Sequence, residues 1–182
     1  MRVRFSGETN VGMKRDHNED SFYLPVSERL VIVADGMGGH ASGEVASRIA
    51  VDTVAGYFRA TENDQPLTWP FKVDRGNQAN VNRMVVGIKL ANQKIHDEAE
   101  KTEQCRGMGT TVVAALFLDN DVIIGHVGDS RLYRVRDGAI VVHEGSNYPT
   151  WLRSAKQYEN FEFGCEFYLR DWMDSGIFLH AP

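Results

Sequence analysis

The chain has 182 residues, of which 42% are hydrophobic, 25% charged and 10% aromatic, and these values exclude global disorder. A chain of this length corresponds to one domain with a buried core, with little left over for a second domain. Lys and Arg number 20 against 25 Asp and Glu, so the formal net charge is −5, which argues against nucleic-acid binding as the main function.

The first third of the sequence predicts short strands followed by a helix. Residues 2–5 and 20–24 are strand candidates because polar and apolar side chains alternate there. The β-branched run at residues 30–34 predicts a buried strand that ends in a loop. A helix is expected next, since Ser42 or Gly43 can cap it and Glu44 suits its first turn.

The middle of the sequence predicts a second helix and then a series of strands. A polar segment at residues 59–78 reads as a surface loop, and residues 80–101 place apolar side chains on one helical face. The later strand candidates are residues 110–118, 122–127, 132–135 and 139–142. Asp137 and Gly138 form a hairpin turn between the last two. This order indicates an α+β domain with antiparallel sheets rather than alternating βαβ units.

The last 42 residues differ in composition from the rest. They contain nine of the 18 aromatic residues of the chain, and they show no sustained periodicity. We therefore predict one domain at residues 1–141 and an unrelated aromatic-rich tail at residues 142–182.

Two further features predict a cytoplasmic protein that is not bound to a membrane. No apolar run approaches the roughly 20 residues that span a bilayer, and the first residues lack the apolar region of a signal peptide. Cys105 and Cys165 are too few for a disulfide framework. The oligomeric state is left open by the sequence.

Three acidic clusters could carry chemistry. They lie at residues 14–20, 35–40 and 128–131, and two of them follow apolar strands directly. Carboxylates at strand ends suit hard divalent cations such as Mg²⁺ and Mn²⁺, which prefer oxygen ligands. Taken alone, each cluster is more often an ordinary turn or a solvated face. Their occurrence together favours a metal site.

The sequence resembles the PPM family of metal-dependent Ser/Thr protein phosphatases, the 2C type, in its bacterial form. Five pieces carry the resemblance in family order. They are residues 9–12 (Thr-Asn-Val-Gly), Arg15 with residues 18–21 (Asn-Glu-Asp-Ser), residues 31–46 (Val-Ile-Val-Ala-Asp-Gly-Met-Gly-Gly-His-Ala-Ser-Gly-Glu-Val-Ala), residues 107–111 (Gly-Met-Gly-Thr-Thr) and residues 127–134 (Val-Gly-Asp-Ser-Arg-Leu-Tyr-Arg). The resemblance implies an αββα sandwich, two antiparallel sheets flanked by helices, incomplete at the C-terminus.

The resemblance also implies roles for individual residues. Asp35 would bridge two Mn²⁺ or Mg²⁺ ions, and the Gly36 carbonyl would bind one of them. Glu19 and Asp20 would complete that side, and Asp129 would belong to a third, weaker metal site. Arg15 would hold the substrate phosphate, and His40 would be the general acid for the leaving group. Thr110 and Thr111 match a core strand, and Ser130 matches a structural position.

The implied activity is hydrolysis of phosphoserine and phosphothreonine in proteins by a metal-activated water. Family members continue after the hairpin with a Ser-Asp-Gly and an Asp-Asn motif that supply further metal ligands, and neither motif follows Asp137 here. We therefore expect little turnover from this chain alone. The alternative is a non-catalytic remnant of the fold that binds phosphoproteins or other partners. A metal phosphodiesterase or nuclease fits the carboxylates but not the ordered motifs.

Overall fold

The computed structural model describes residues 3–13, 15–25, 29–38, 42–62, 69–136, 139–142 and 179–180. Two long helices and several strands make up this part of the chain. In chain order they are β1 (Arg4–Phe5), β2 (Asp20–Tyr23), β3 (Leu30–Met37), α1 (Ser42–Ala60), α2 (Ala79–Lys101), β4 (Gly109–Thr110), β5 (Val112–Phe117), β6 (Val122–Val127), β7 (Tyr133–Arg136), β8 (Ala139–Val142) and β9 (Leu179–His180). A short 3₁₀ turn, Glu103–Cys105, follows α2.

The main sheet is antiparallel, with the strand order β2-β3-β5-β6, and β4 pairs with the end of β3. Two smaller pairs, β7 with β8 and β1 with β9, complete the described strands. The predicted α+β class with antiparallel sheets is confirmed. The strand expected at residues 110–118 is divided at Thr111 into β4 and β5. At this residue the Asp35 amide of β3 donates to the Thr111 hydroxyl, which also bonds Ser130.

One face of the sheet packs against the helices. Alternate residues of a strand point to the same face, and Leu30, Ile32 and Ala34 of β3 join one buried cluster with α1 and α2. Val54 and Met84 are the largest fully buried helical side chains of this cluster. Burial of a side chain of this size contributes about 1.5–3 kcal/mol, so this layer is the main source of stability.

The other face of the sheet carries no helix of the described part. Val31, Val113 and Phe117 form a second buried cluster there. It is covered in part by Phe5 of β1, whose ring centroid lies 5.6 Å from that of Phe117, and by Leu132. This helix-free face is the one on which the candidate site lies.

Neither α1 nor α2, the two long helices of the described part, has the length and hydrophobicity to cross a membrane. Residues 137–138 and 143–178, on which the predicted hairpin turn and most of the predicted tail fall, lie outside the described residues. Cys105 is buried with a free thiol, and Cys165 is outside the described part. The boundary at residue 141 stays a prediction.

Tyr57, in the last quarter of α1, gives a prediction about stability. Its hydroxyl is buried with no hydrogen-bond partner among the described residues, so Tyr57→Phe is expected to raise the free energy of unfolding by about 1 kcal/mol. Burial raises the pKa of Tyr57, and the charge of Arg83 opposes this in part. The unfolded chain therefore ionises first as pH rises past about 10, and the wild type loses stability there while the variant keeps it.

Urea denaturation of both proteins at pH 8 and at pH 10.5 measures this difference. The other titrating groups are common to the two proteins, so their effects cancel in the difference. The amount by which Tyr57→Phe is more stable than the wild type should therefore increase at the higher pH. A variant that is less stable than the wild type at pH 8, or a gap that does not change with pH, would contradict the prediction.

Candidate metal centre

Two carboxylates face each other across adjacent strands of the main sheet. The register of β2 and β3 pairs Asp20 directly with Asp35. Directly opposite residues of an antiparallel pair project from the same face with their Cβ atoms about 5 Å apart. The alternation that sends Ile32 and Ala34 toward the helices sends Asp35 to the helix-free face. Both side chains are half-buried, where two like charges are unfavourable without a compensating cation.

Glu19 lies beside this pair and is held at the start of α1. Its carbonyl oxygen accepts a hydrogen bond from the Gly36 amide at 3.1 Å. Its carboxylate contacts the backbone of α1 at Gly43, where an added Cβ would lie 2.5 Å from Glu19 Oε1. The positive end of a helix dipole favours a carboxylate at this position. The strand end, the helix start and Glu19 approach closely because both glycines lack a side chain.

Arg15 precedes Glu19 by four residues, and its Nη1 lies 3.5 Å from Glu19 Oε2. The Arg15 side chain is 52% exposed, whereas that of Glu19 is 15% exposed. An exposed ion pair of this length contributes little to stability. The guanidinium is therefore positioned next to the acidic cluster and can reach an anion from solvent.

A polar network orients Asp20 from the loop before β2. The Thr9 hydroxyl donates to Asp20 Oδ2 at 3.0 Å and accepts from Asn18 Nδ2 at 2.9 Å. The Asp20 amide donates to Asn18 Oδ1 at 3.0 Å. Thr9 and Asn18 belong to the pieces that carry the resemblance, but no sequence pattern predicted a role for either residue. Their role is shown by the hydrogen bonds that they form with each other and with Asp20 in the folded chain.

The main chain of Asp35 is held on its other side by two threonines. The Thr111 amide donates to the Asp35 carbonyl oxygen at 2.9 Å. The Asp35 amide donates to Thr111 Oγ1 at 3.1 Å, and Thr110 Oγ1 donates to Asp35 O at 2.9 Å. These threonines were expected to be part of a core strand; instead they are half-buried and support a candidate ligand.

Asp129 lies in an exposed turn next to this support. Its neighbour Ser130 is buried and bonds Thr111, with 2.6 Å between the two hydroxyl oxygens. The turn is therefore fixed beside the start of β5, while the Asp129 side chain is exposed. His40 lies outside the described residues, as do its neighbours 39 and 41.

The structure thus brings together some of the predicted site residues. Asp20 and Asp35 are paired, Glu19 and Gly36 adjoin them, Arg15 contacts Glu19, and Asp129 lies in a neighbouring turn. Within residues 3–136, excluding the gaps given above, no three Asp, Glu, His or Cys side chains converge closely enough to bind a metal ion.

An open pocket of about 300 Å³ adjoins the carboxylate pair, between the edge strand β2 and α1. Its lining residues are Asp20, Ser21, Phe22, Arg48, Val51 and Asp52. Arg48 also forms an ion pair with Glu44 at 2.7 Å. Of the two paired carboxylates, only Asp20 lines this pocket.

Residues 13–160 match the sequence profile of a family described as protein phosphatase 2C. The chain belongs to this family. The resemblance found in the sequence is therefore confirmed. The phosphatase 2C match extends past residue 141, and it continues into residues that the structure does not describe.

Relatives of this phosphatase 2C chain are bacterial protein phosphatases. It is 35% identical over 138 residues to the serine/threonine protein phosphatase PstP of Mycobacterium tuberculosis, covering 76% of this chain and 24% of PstP. It is 36% identical over 132 residues to the protein phosphatase PhpP of Streptococcus pneumoniae, covering 70% and 48%. The chain spans about half the length, or less, of these curated relatives.

Solved structures agree with this assignment. A crystal structure of PstP matches with a TM-score of 0.63 and 34% identity, covering 77% of this chain and 53% of the chain in that crystal structure. The PstP catalytic domain in complex with two manganese ions matches with a TM-score of 0.61 and the same identity, covering 77% and 54%. The fold is therefore that of the phosphatase 2C family, represented here by part of its sandwich.

Proposed function

We propose that this chain supplies the N-terminal part of the catalytic centre of a metal-dependent phosphatase that hydrolyses phosphoserine and phosphothreonine in proteins. The observation that carries the proposal is the Asp20–Asp35 pair on the helix-free face of the sheet. Membership of the phosphatase 2C family and the two manganese ions of the PstP structure support it. We propose the cytoplasm as its compartment, as the sequence predicts.

The donor atoms are of the kind that a hard divalent cation binds, although the carboxylates of the described residues would have to move closer together to share one ion. Glu19, Asp20 and Asp35 offer carboxylate oxygens, and the Gly36 backbone offers a carbonyl oxygen, which are the ligands that Mg²⁺ and Mn²⁺ prefer. We propose that these four residues hold two ions and that Asp129 contributes to a third, weaker site. A cation would also relieve the repulsion between the paired carboxylates.

The residues around the centre have separate roles in the proposed reaction. Bound divalent cations would supply an acidified water and neutralise charge on the phosphoryl oxygens. Arg15, exposed beside Glu19, would bind the phosphate through its planar guanidinium, which matches the geometry of phosphate oxygens. A water would attack phosphorus as the bond to the Ser or Thr oxygen breaks, and His40 would protonate that leaving oxygen.

A second candidate function is supported by one feature of the sequence. Residues 138–182 contain neither the Ser-Asp-Gly nor the Asp-Asn motif expected to supply further metal ligands. With those carboxylates missing, the chain would retain phosphoprotein binding with little turnover. Binding and hydrolysis must therefore be measured separately.

Mn²⁺ titration and phosphate release from a phosphothreonine peptide test both candidates. We expect the full chain to bind Mn²⁺ and Asp20→Asn to weaken that affinity about 10–100-fold, because an amide is a poorer and uncharged ligand. The matched control is Asp97→Asn, an exposed carboxylate on α2, which should leave affinity unchanged.

The outcomes separate the two functions. Mn²⁺-dependent phosphate release that Asp20→Asn lowers supports the phosphatase. Binding of Mn²⁺ and of the phosphopeptide without release supports the binding module. A wild-type chain that binds no Mn²⁺, or an Asp20→Asn variant with wild-type affinity, would refute the metal centre.

A further inference from the structure

One hydroxyl group connects the two acidic segments of the candidate centre. Thr111 Oγ1 accepts the Asp35 amide proton at 3.1 Å and lies 2.6 Å from Ser130 Oγ. A threonine hydroxyl has one proton and two lone pairs, so it can make both bonds at once. Ser130 is 3% exposed and directly follows Asp129. A single side chain therefore links the strand end of one acidic segment to the turn of the other.

The turn that carries Asp129 is built around this side chain. Gly128 adopts a φ of 98°, and an added Cβ there would lie 2.7 Å from Thr111 Cγ2. The methyl group of Thr111 thus packs on a position that only glycine can occupy. His126 Nε2 lies 2.6 Å from the Ser130 carbonyl oxygen and must donate, because a carbonyl oxygen only accepts.

We propose that Thr111 is a positioning residue for the metal centre: its hydroxyl sets the Asp35 main chain and holds the Asp129 turn in register with it. The inference rests on the proposed function, since positioning matters there for metal affinity. The alignment of the neighbouring strands supports this role for Thr111. Asp20 pairs with Asp35 on one side, and Thr111 bonds Asp35 on the other, so the three residues form one row on the helix-free face.

A merely structural threonine would affect stability alone. A positioning threonine also changes the affinity for a cation, because a small displacement of a ligand weakens its bond to the metal. Residues that orient metal ligands typically contribute 10–100-fold to affinity. The side chain is β-branched and restricted at χ1, which suits it to holding two groups in a fixed relation.

The experiment compares Thr111→Val with Thr111→Ser in the full chain. Valine keeps the branched shape without the hydroxyl, and serine keeps the hydroxyl without the methyl group. The control is Thr53→Val, a buried threonine on α1. Mn²⁺ affinity is measured by titration, and amide exchange at Asp35 is measured by NMR against Val33 of the same strand.

We expect Thr111→Val to speed exchange of the Asp35 amide about 10-fold and to weaken Mn²⁺ binding about 10–100-fold, while Val33 exchange is unchanged. Thr111→Ser should stay within about 3-fold of the wild type in both measurements, as should Thr53→Val. Wild-type Mn²⁺ affinity in a folded Thr111→Val protein, or a serine variant as impaired as the valine variant, overturns the proposal.

Failure of the proposed function gives a different result. In that case the wild-type chain binds no Mn²⁺, and the exchange rate at Asp35 still decides whether Thr111 positions it. Exchange at Asp35 that is the same in Thr111→Val and wild type overturns the inference whatever the metal result.

Discussion

Asp35→Asn is expected to weaken Mn²⁺ binding by about 100-fold or more while making the metal-free protein more stable. The substitution removes one of two like charges that face each other at directly opposite positions of β2 and β3. Relief of such a pair contributes about 0.2–1 kcal/mol to the free energy of unfolding. The same change replaces the carboxylate proposed to bridge two cations, and we expect affinity to fall by about 100-fold or more.

The opposite signs of the two effects make this prediction specific. A general loss of fold would lower both the stability and the affinity for Mn²⁺. Removal of a ligand from an acidic centre instead raises the stability of the metal-free protein and lowers its affinity for Mn²⁺. Thermal denaturation with and without Mn²⁺ measures both quantities, because a ligand that binds only the folded state raises its stability. Wild-type protein should gain stability from Mn²⁺, and the variant should not.

Asp97→Asn is the control for the change of charge alone, since that carboxylate is exposed on α2. The Asp97→Asn protein should be stabilised by Mn²⁺ as much as the wild type is. An Asp35→Asn protein that still gains stability from Mn²⁺, at concentrations that stabilise the wild type, would refute the role proposed for Asp35.

Gly36→Ala is expected to destabilise the protein by about 3 kcal/mol or more. A Cβ at this position would overlap the carbonyl group of Gly43 and would lie 2.7 Å from the carbonyl oxygen of Glu19. Both obstacles are backbone atoms, so no side-chain rotation can relieve them. The end of β3 and the start of α1 would have to separate, which would also move Glu19.

Gly56→Ala is a matched control with the opposite expected sign. Gly56 lies within α1, and an added Cβ there meets nothing within 4 Å. Alanine in a helix interior is favoured over glycine, so this variant should gain about 0.5–1 kcal/mol. Urea denaturation of both variants checks the pair. A Gly36→Ala protein as stable as Gly56→Ala would show that the strand end and the helix do not approach as described.

The secondary structure of the described part was largely predictable. The apolar run at residues 30–34 forms the first part of β3, but the strand continues through Asp35 and Gly36 to Met37, where a loop was predicted, because β4 pairs with its end. The helical periodicity of residues 80–101 corresponds to α2, Ala79–Lys101. These signals are local, because periodicity 2 and periodicity 3.6 can be recognised within one segment. The family was also predictable, since its motifs are short runs of neighbouring residues.

The supports of the candidate site were not predictable in the same way. Thr9 and Thr111 look like ordinary loop and strand residues in sequence, and Thr111 lies 76 positions from the amide that it binds. Neither apolar periodicity nor composition indicates such a contact. The resemblance pointed to the segments that contain both residues but assigned them no part in holding Asp20 or Asp35.

The sequence by itself determined the order of strands and helices, the acidic residues near strand ends and the membership of the phosphatase 2C family. Each of these depends on a pattern of residues that are close together in the sequence. Only the tertiary structure decided that Asp20 faces Asp35, that Glu19 lies against the start of α1 and that Thr111 links Asp35 to Ser130. The physical reason is register. A shift of one residue between β2 and β3 would move one carboxylate to the helix-packed face, and that alignment depends on packing across the whole sheet rather than on either segment alone.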